Sequence, residues 1–397
     1  MPVHTLPGCR AVPSPLTPGT GSLDPGRLLF LDWLRIGAFA VLVLYHVGMC
    51  YVTWDFHVKS PFADRTLEPW MRLVEPWRMS LLFMVSGAVT AHMLGSASAA
   101  AVARRRSRQL LLPLLCGVVL IVPPQAYVEV LRRFAYTGSY ADFLVLYFSG
   151  HAGFCRDGAC LILPTWNHLW FLPYLWLYTL LLCATLAVRP DALASMARAT
   201  SVLRRDVALL ALPVLWVLVL RLVLLGPFPV THALWNDPFA HLLYGSMFGV
   251  GAVFALAPGL WDRMAAIRWP ALLLAADGWA ASVWLVPAGP LAQAAIAVQT
   301  WCALVAAFGF ARRHLDVDAR PRALLNEAVF PLYLVHQTVI VVGSQVLLPL
   351  GWRPRLEGPV LIAATVAIGF AVHGLVRRVG PLRPWFGLRP RMPTGTD

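Results

Sequence analysis

LLFLDWLRIGAFAVLVLYHVGMC, residues 28–50, is long and apolar enough to cross a bilayer as one helix, yet it carries Asp32, Arg35 and His46. Arg35 and His46 are eleven residues apart. At 100° per residue they fall roughly 20° past three full turns, so both project from one face, ~16 Å apart along the axis. Ionisable groups in the hydrocarbon are costly and mark functional paths, which makes this face a candidate polar path across the membrane. The competing reading has Arg35 snorkelling to the near interface with Asp32 one turn back as its partner, and His46 staying wet at the far interface.

Composition places the whole chain in the same class. It is 59% hydrophobic and 13% charged, with a mean hydropathy of +0.67, against about 45–50% apolar residues in a soluble domain. We therefore expect an all-α, polytopic membrane bundle of about ten helices, at 28–50, 79–95, 109–131, 166–188, 206–225, 239–257, 269–287, 290–310, 325–348 and 358–379. Several spans contain Pro, including Pro113, Pro123, Pro124, Pro173, Pro213 and Pro331. These read as kinks around a cavity. Asp277, beside Gly278, reads either as a polar group facing the bundle or as part of a site.

The net charge of +13 is no signature of nucleic-acid binding, because the basic residues sit in short segments between spans. The segments on the N-terminal side carry 21 Lys and Arg against nine on the other, which with Arg35 and Arg221 accounts for all 32. That bias puts both termini in the cytoplasm and makes 51–78 and 132–165 outer loops. Residues 1–26 read as a disordered, Pro-rich cytoplasmic tail, 27–380 as the transmembrane domain and 381–397 as a second cytoplasmic tail. In the second outer loop Cys155 and Cys160 are spaced for a disulfide, or stay as free thiols.

The chemistry-bearing residues cluster at span ends. Glu75 and Arg78 lie three apart where 51–78 meets the membrane, as an interfacial anchor or a substrate contact. Arg104, Arg105, Arg106 and Arg108 precede the third span; they satisfy the positive-inside rule and equally suit a phosphate-bearing ligand. Asn167 and His168 open the fourth span among aromatic residues. The ninth span carries Glu327 near its inner edge and a second deep histidine, His336. Ser86-Gly87 forms a small-residue patch for close helix approach.

FLDWLR with the Arg35–His46 spacing, RMSLLFMVSG, Arg105-x-x-Arg108 before LLLP, NHLWFL and FPLYLVHQ together resemble acyltransferase family 3, integral membrane acyltransferases that modify cell-envelope sugars. Within it they are most similar to the glucan biosynthesis protein C-like succinyltransferases. The resemblance runs from about Leu28 to Val379. It implies transfer of a succinyl- or acetyl-class group from cytoplasmic acyl-CoA to a hydroxyl of an envelope glycan, in the inner membrane of a bacterium, with no cofactor beyond the donor. It further implies catalytic roles for His46, Arg35 and His336, and substrate contacts from Asp32, Arg78, Arg105, Arg108, Asn167, His168 and Glu327. Whether His46 acts as general base or first takes the acyl group stays open. Intramembrane His, Arg and Asp would also serve a proton-coupled exporter of a sugar or anion. A partner in glycan assembly is a third reading.

Overall fold

The computed structural model describes residues 28–156, 159–286 and 288–390. The expected tail over 1–26 lies outside the described residues, as does 391–397. The chain is helical apart from one short hairpin. The helices are α1 (Leu29–Met49), α2 (Glu68–Val74), α3 (Arg78–Ser96), α4 (Ala99–Cys116), α5 (Val122–Arg133), α6 (Tyr140–Phe148), α7 (Phe171–Val188) and α8 (Ala192–Ala199). They continue as α9 (Asp206–Val223), α10 (Pro238–Ala255), α11 (Gly259–Ala266), α12 (Arg268–Ala280), α13 (Gly289–His314), α14 (Arg320–Leu347) and α15 (Pro354–Arg378). Eight helical stretches among the described residues are long and apolar enough to cross a membrane. The other two apolar segments of the sequence, 79–95 and 269–287, also fold as helices: α3, and α12 prolonged by a π turn over Ala281–Leu285.

Apolar helices gain little from burying one another in lipid, so close backbone contact has to hold them together. The Ser86-Gly87 patch provides it. A Cβ on Gly87 would fall 1.9 Å from the Phe248 carbonyl oxygen of α10, and one on Gly251 would fall 1.9 Å from that of Met84 on α3. The two glycines thus let each helix lie in the other's groove. Gly278 does the same for α12, where a Cβ would meet the Ala295 oxygen at 2.6 Å. Its neighbour Asp277 is exposed, which corrects the expectation that it faces the bundle. The small residue holds the contact and turns the carboxylate outward.

One interruption falls beside prolines, whereas Pro113, Pro213 and Pro331 lie inside continuous helices. Between α4 and α5 the helix widens into a π turn over Gly117–Ile121, just before Pro123 and Pro124. Its loosened carbonyls are taken up from neighbouring elements: Thr338 Oγ1 donates to Ile121 O at 2.7 Å and the Tyr147 hydroxyl to Val118 O at 3.0 Å. Such replacement partners are what make an interrupted helix tolerable in a membrane. They also lock α5 against α14, which positions Gln125.

At the end where α1 begins, Asp32 pairs with Arg322 and accepts from Asn326 Nδ2 at 3.0 Å. Arg322 also bonds Asp318 at 2.9 Å, and Phe30 N donates to Asp316 at 3.3 Å. At the opposite end, Lys59 Nζ donates to Met49 O and Val52 O at 2.7 and 2.8 Å, filling the open carbonyls where α1 stops. The long loop after α5 holds α6, started by a Ser139–Asp142 capping box, and a hairpin in which Cys155 and Cys160 are joined as a disulfide.

The glycine contacts make a prediction. Gly251→Ala should destabilise the purified protein by about 1–3 kcal/mol, through forced separation of α3 and α10. Gly249→Ala, on the same helix with no atom within 4 Å of the new methyl, should leave the melting temperature in detergent unchanged. Equal melting temperatures for the two variants would remove the close-contact account.

Candidate active site

α1 and α14 meet through two imidazoles. His336 Nε2 and His46 Nδ1 are 3.1 Å apart, and His336 Nδ1 lies 2.6 Å from the carbonyl oxygen of Tyr333. A carbonyl can only accept, so His336 carries its proton on Nδ1. In neutral form its Nε2 is then an acceptor, which makes His46 Nδ1 the donor. The chain of hydrogen bonds leaves the lone pair of His46 on Nε2. His336 is fully buried, whereas His46 lines a cavity of about 330 Å³ with Phe56, Arg78, His168, Trp170 and Tyr333. The hydrogen bonds thus fix the tautomer of both rings and leave His46 with an imidazole nitrogen free of a proton.

A third histidine stands behind them. His168 Nε2 donates to Leu334 O at 3.0 Å, and its Nδ1 receives Gln125 Nε2 at 3.4 Å. Gln125 also donates to Thr338 at 3.1 Å and accepts from Gln337 at 3.2 Å. The Tyr333 hydroxyl donates to His168 O at 2.8 Å. Gln125, His168, Thr338, Gln337 and Tyr333 are thus tied into one buried network behind the histidine pair, the kind of arrangement that rigidifies a site. Among the described residues no group of three or more His, Cys, Asp or Glu is arranged to hold a metal.

Arg35 does not reach this cavity. It lines a second, narrower one of about 110 Å³ with Phe39, Leu42, Arg106, Leu110 and Tyr333. Leu42 and Tyr333 border both cavities, so the two spaces meet at a thin apolar wall beside His46. Arg35 donates to Asn326 O at 3.0 Å, whereas the Nε of half-buried Arg106 has no hydrogen-bond partner. Arg105 and Arg108 are exposed and lie outside this space, bordering instead an open cavity of about 720 Å³ between α4 and the segment 384–390.

The other residues named from the sequence divide between site and scaffold. Arg78 and His168 are on the His46 cavity. The Arg78 guanidinium lies 3.5 Å over the Tyr45 ring and donates to Glu75 O at 3.1 Å, and its buried Nε has no partner. Asp32 and Glu327 line neither cavity. Asp32 holds α14, and Glu327 gathers His373, Arg377 and Arg383 at 3.6, 3.5 and 3.3 Å, tying α15 and the segment after it to α14. Asn167 also stands off, at φ 42° with its Oδ1 on Thr165, and turns the chain into the helix that carries His168.

Sequence reasoning missed Tyr333, Gln125 and His232, and named Arg106 only as one of the arginine cluster before the third span. His232 borders the His46 cavity and stacks on Trp170 with ring centroids 4.2 Å apart. Burial pushes its imidazole down to about 4, with Asp237 opposing the shift, so it is neutral at pH 7. It adds ring surface rather than charge.

The hydrogen-bonded histidine pair thus borders one cavity, and a second adjoins it at Leu42 and Tyr333. The family model of the acyltransferase domain, acyltransferase family 3, matches residues 28–374. The chain belongs to this family. It is a membrane acyltransferase by that match and by its apolar helices. No curated protein and no solved structure matches the chain.

For this acyltransferase, His46→Ala should lower the transfer rate by about 10² to 10⁴, the usual contribution of a general base, at unchanged yield. His336→Gln, whose Oε1 can still accept from His46, should retain more activity than His336→Leu. Equal rates for the two His336 variants would show that the histidine bond does not orient the base.

Proposed function

We propose that this acyltransferase moves a succinyl- or acetyl-class group from cytoplasmic acyl-CoA to a hydroxyl of an envelope glycan at the outer face of a bacterial inner membrane. In this reading all ten helical segments cross the bilayer and both termini are cytoplasmic, as the charge bias indicates. The observation that carries it is the pair of cavities meeting at Leu42 and Tyr333, with His46 on the outer side of the wall. Placement among the glucan biosynthesis protein C-like succinyltransferases rests on the motif order alone.

Arg105 and Arg108 at the inner mouth suit the nucleotide phosphates of the donor, which guanidinium forks grip bidentately. The pantetheine arm then follows the narrow space past Arg35 and Arg106 and brings its thioester to the wall. The thioester passes between Leu42 and Tyr333 into the His46 cavity, where a sugar hydroxyl meets His46 Nε2, which takes its proton as the oxygen bonds to the thioester carbonyl carbon. Arg78, with its unpartnered Nε, supports the negative charge that develops on the carbonyl oxygen. Collapse breaks the carbon–sulfur bond, the His46 proton passes to the departing thiolate, and ester and free thiol leave. Acyltransferase family membership favours this chemistry over a carrier, which would use the same polar groups without releasing thiol.

The test is release of free thiol from succinyl-CoA or acetyl-CoA by purified protein, stimulated by a gluco-oligosaccharide. Arg106→Ala should raise the donor KM by about 10-fold or more, as expected for loss of a charge-assisted contact. Arg105→Ala with Arg108→Ala should do so for acyl-CoA but not for acyl-pantetheine, which has no phosphates. Absence of thiol release under all these conditions would contradict the proposal.

A further inference from the structure

Beside the His46 cavity lies another of about 350 Å³, bordered by Tyr45, Trp54, Arg72, Glu75, Ser282 and Gln299. Tyr45 and Glu75 line both spaces, so the two adjoin on the outer half of α1. Gln299 is 1% exposed. Its Nε2 donates to Arg72 O and Leu73 O at 2.8 and 3.1 Å, which settles the amide orientation because both partners can only accept. The Oε1 is buried and has no partner. An unmet buried acceptor is costly, and it is satisfied only by a donor brought in from outside.

The surroundings narrow what that donor is. Ser282 Oγ already donates to Trp279 O at 2.9 Å, so towards the cavity its free lone pairs accept. Glu75 adds a carboxylate, and Arg72 the compensating cation. An anion would face a carbonyl and a carboxylate. A ring bearing several hydroxyls both donates to these groups and receives from Arg72, and the Trp54 and Tyr45 rings offer apolar surface to its C–H face. At 330 and 350 Å³ each space is at the small end of the about 300–1,000 Å³ seen for ligand pockets, enough for one small unit apiece.

We infer that this is a second acceptor subsite, so that the enzyme acylates one residue of an oligosaccharide while Gln299 and Trp54 hold the next. The inference rests on the acyl-transfer reading for the identity of the first site. Its own content is that acceptor length matters and that Gln299 reads it.

The experiment measures kcat/KM of the purified protein at saturating succinyl-CoA or acetyl-CoA, with glucose and with gluco-oligosaccharides of increasing length. It is paired with calorimetric binding of the same sugars in the absence of donor. The disaccharide should exceed glucose by about 10-fold or more, in line with one added polar and stacking contact. Gln299→Leu should collapse that ratio. Because Gln299 also ties down backbone, Trp54→Ala in the outer loop is the second variant and should reduce the ratio as well. Normal thiol release with the same kcat/KM and the same affinity at every length would overturn the subsite while leaving the acyl-transfer reading intact. A length-independent response that follows the bilayer lipid supplied would overturn it in favour of a lipid headgroup. If no donor is turned over, the acyl-transfer reading fails, and the binding ratio and its loss in the two variants still decide the subsite.

Discussion

The hydrogen bond between His46 and His336 constrains the rest of the site, because it joins α1 to α14 through a fully buried imidazole, where water cannot substitute for a missing partner. The Tyr333 carbonyl sets the proton on His336, and His336 sets it on the Nδ1 of His46, the residue that lines the cavity. Phe56 from the loop after α1 stacks over His46 with centroids 6.2 Å apart, and Phe39 meets the edge of His336 at 5.8 Å. Apolar rings on both sides keep the pair dry, which strengthens its electrostatics.

The surrounding fold serves to hold this junction still. The π turn at Gly117–Ile121 and the two prolines after it loosen the α4–α5 helix, and Thr338 on α14 closes the gap. Gln125 is thereby set between His168, Thr338 and Gln337. The loop between α1 and α2 is fastened by His57, which meets Glu129 at 2.5 Å, and by Arg133, which bonds Glu129 at 3.2 Å and Asp55 at 3.0 Å. At the other end the Asp32–Arg322 and Glu327 clusters clasp α1, α14 and α15 without entering either cavity. Charges that read as substrate contacts are spent on keeping the helices in register.

Much of this was legible in the sequence. The apolar segments locate every long helix, and the eleven-residue spacing put Arg35 and His46 on one side of α1, where both now border cavities. Helical periodicity also held a signal that the motif obscured: Arg106 lies in phase with Val102 and Leu110, each 1% exposed, whereas Arg105 and Arg108 are on the exposed side. What could not be read was pairing across distant segments. Nothing local to Asp32 or Glu327 announces Arg322 or Arg383 as partners, and nothing local to Asp277 says that Gly278 turns it outward. Gln125 and Gln299 are ordinary polar residues until the helices facing them are known.

The claim at the centre is that donor and acceptor reach His46 from opposite sides of the membrane. It is tested most directly with the purified protein in sealed vesicles, with labelled acyl-CoA added outside and a gluco-oligosaccharide trapped inside. The two-cavity arrangement predicts labelled, acylated oligosaccharide in the lumen while the donor stays outside. Product that forms only when both substrates share one compartment would contradict it.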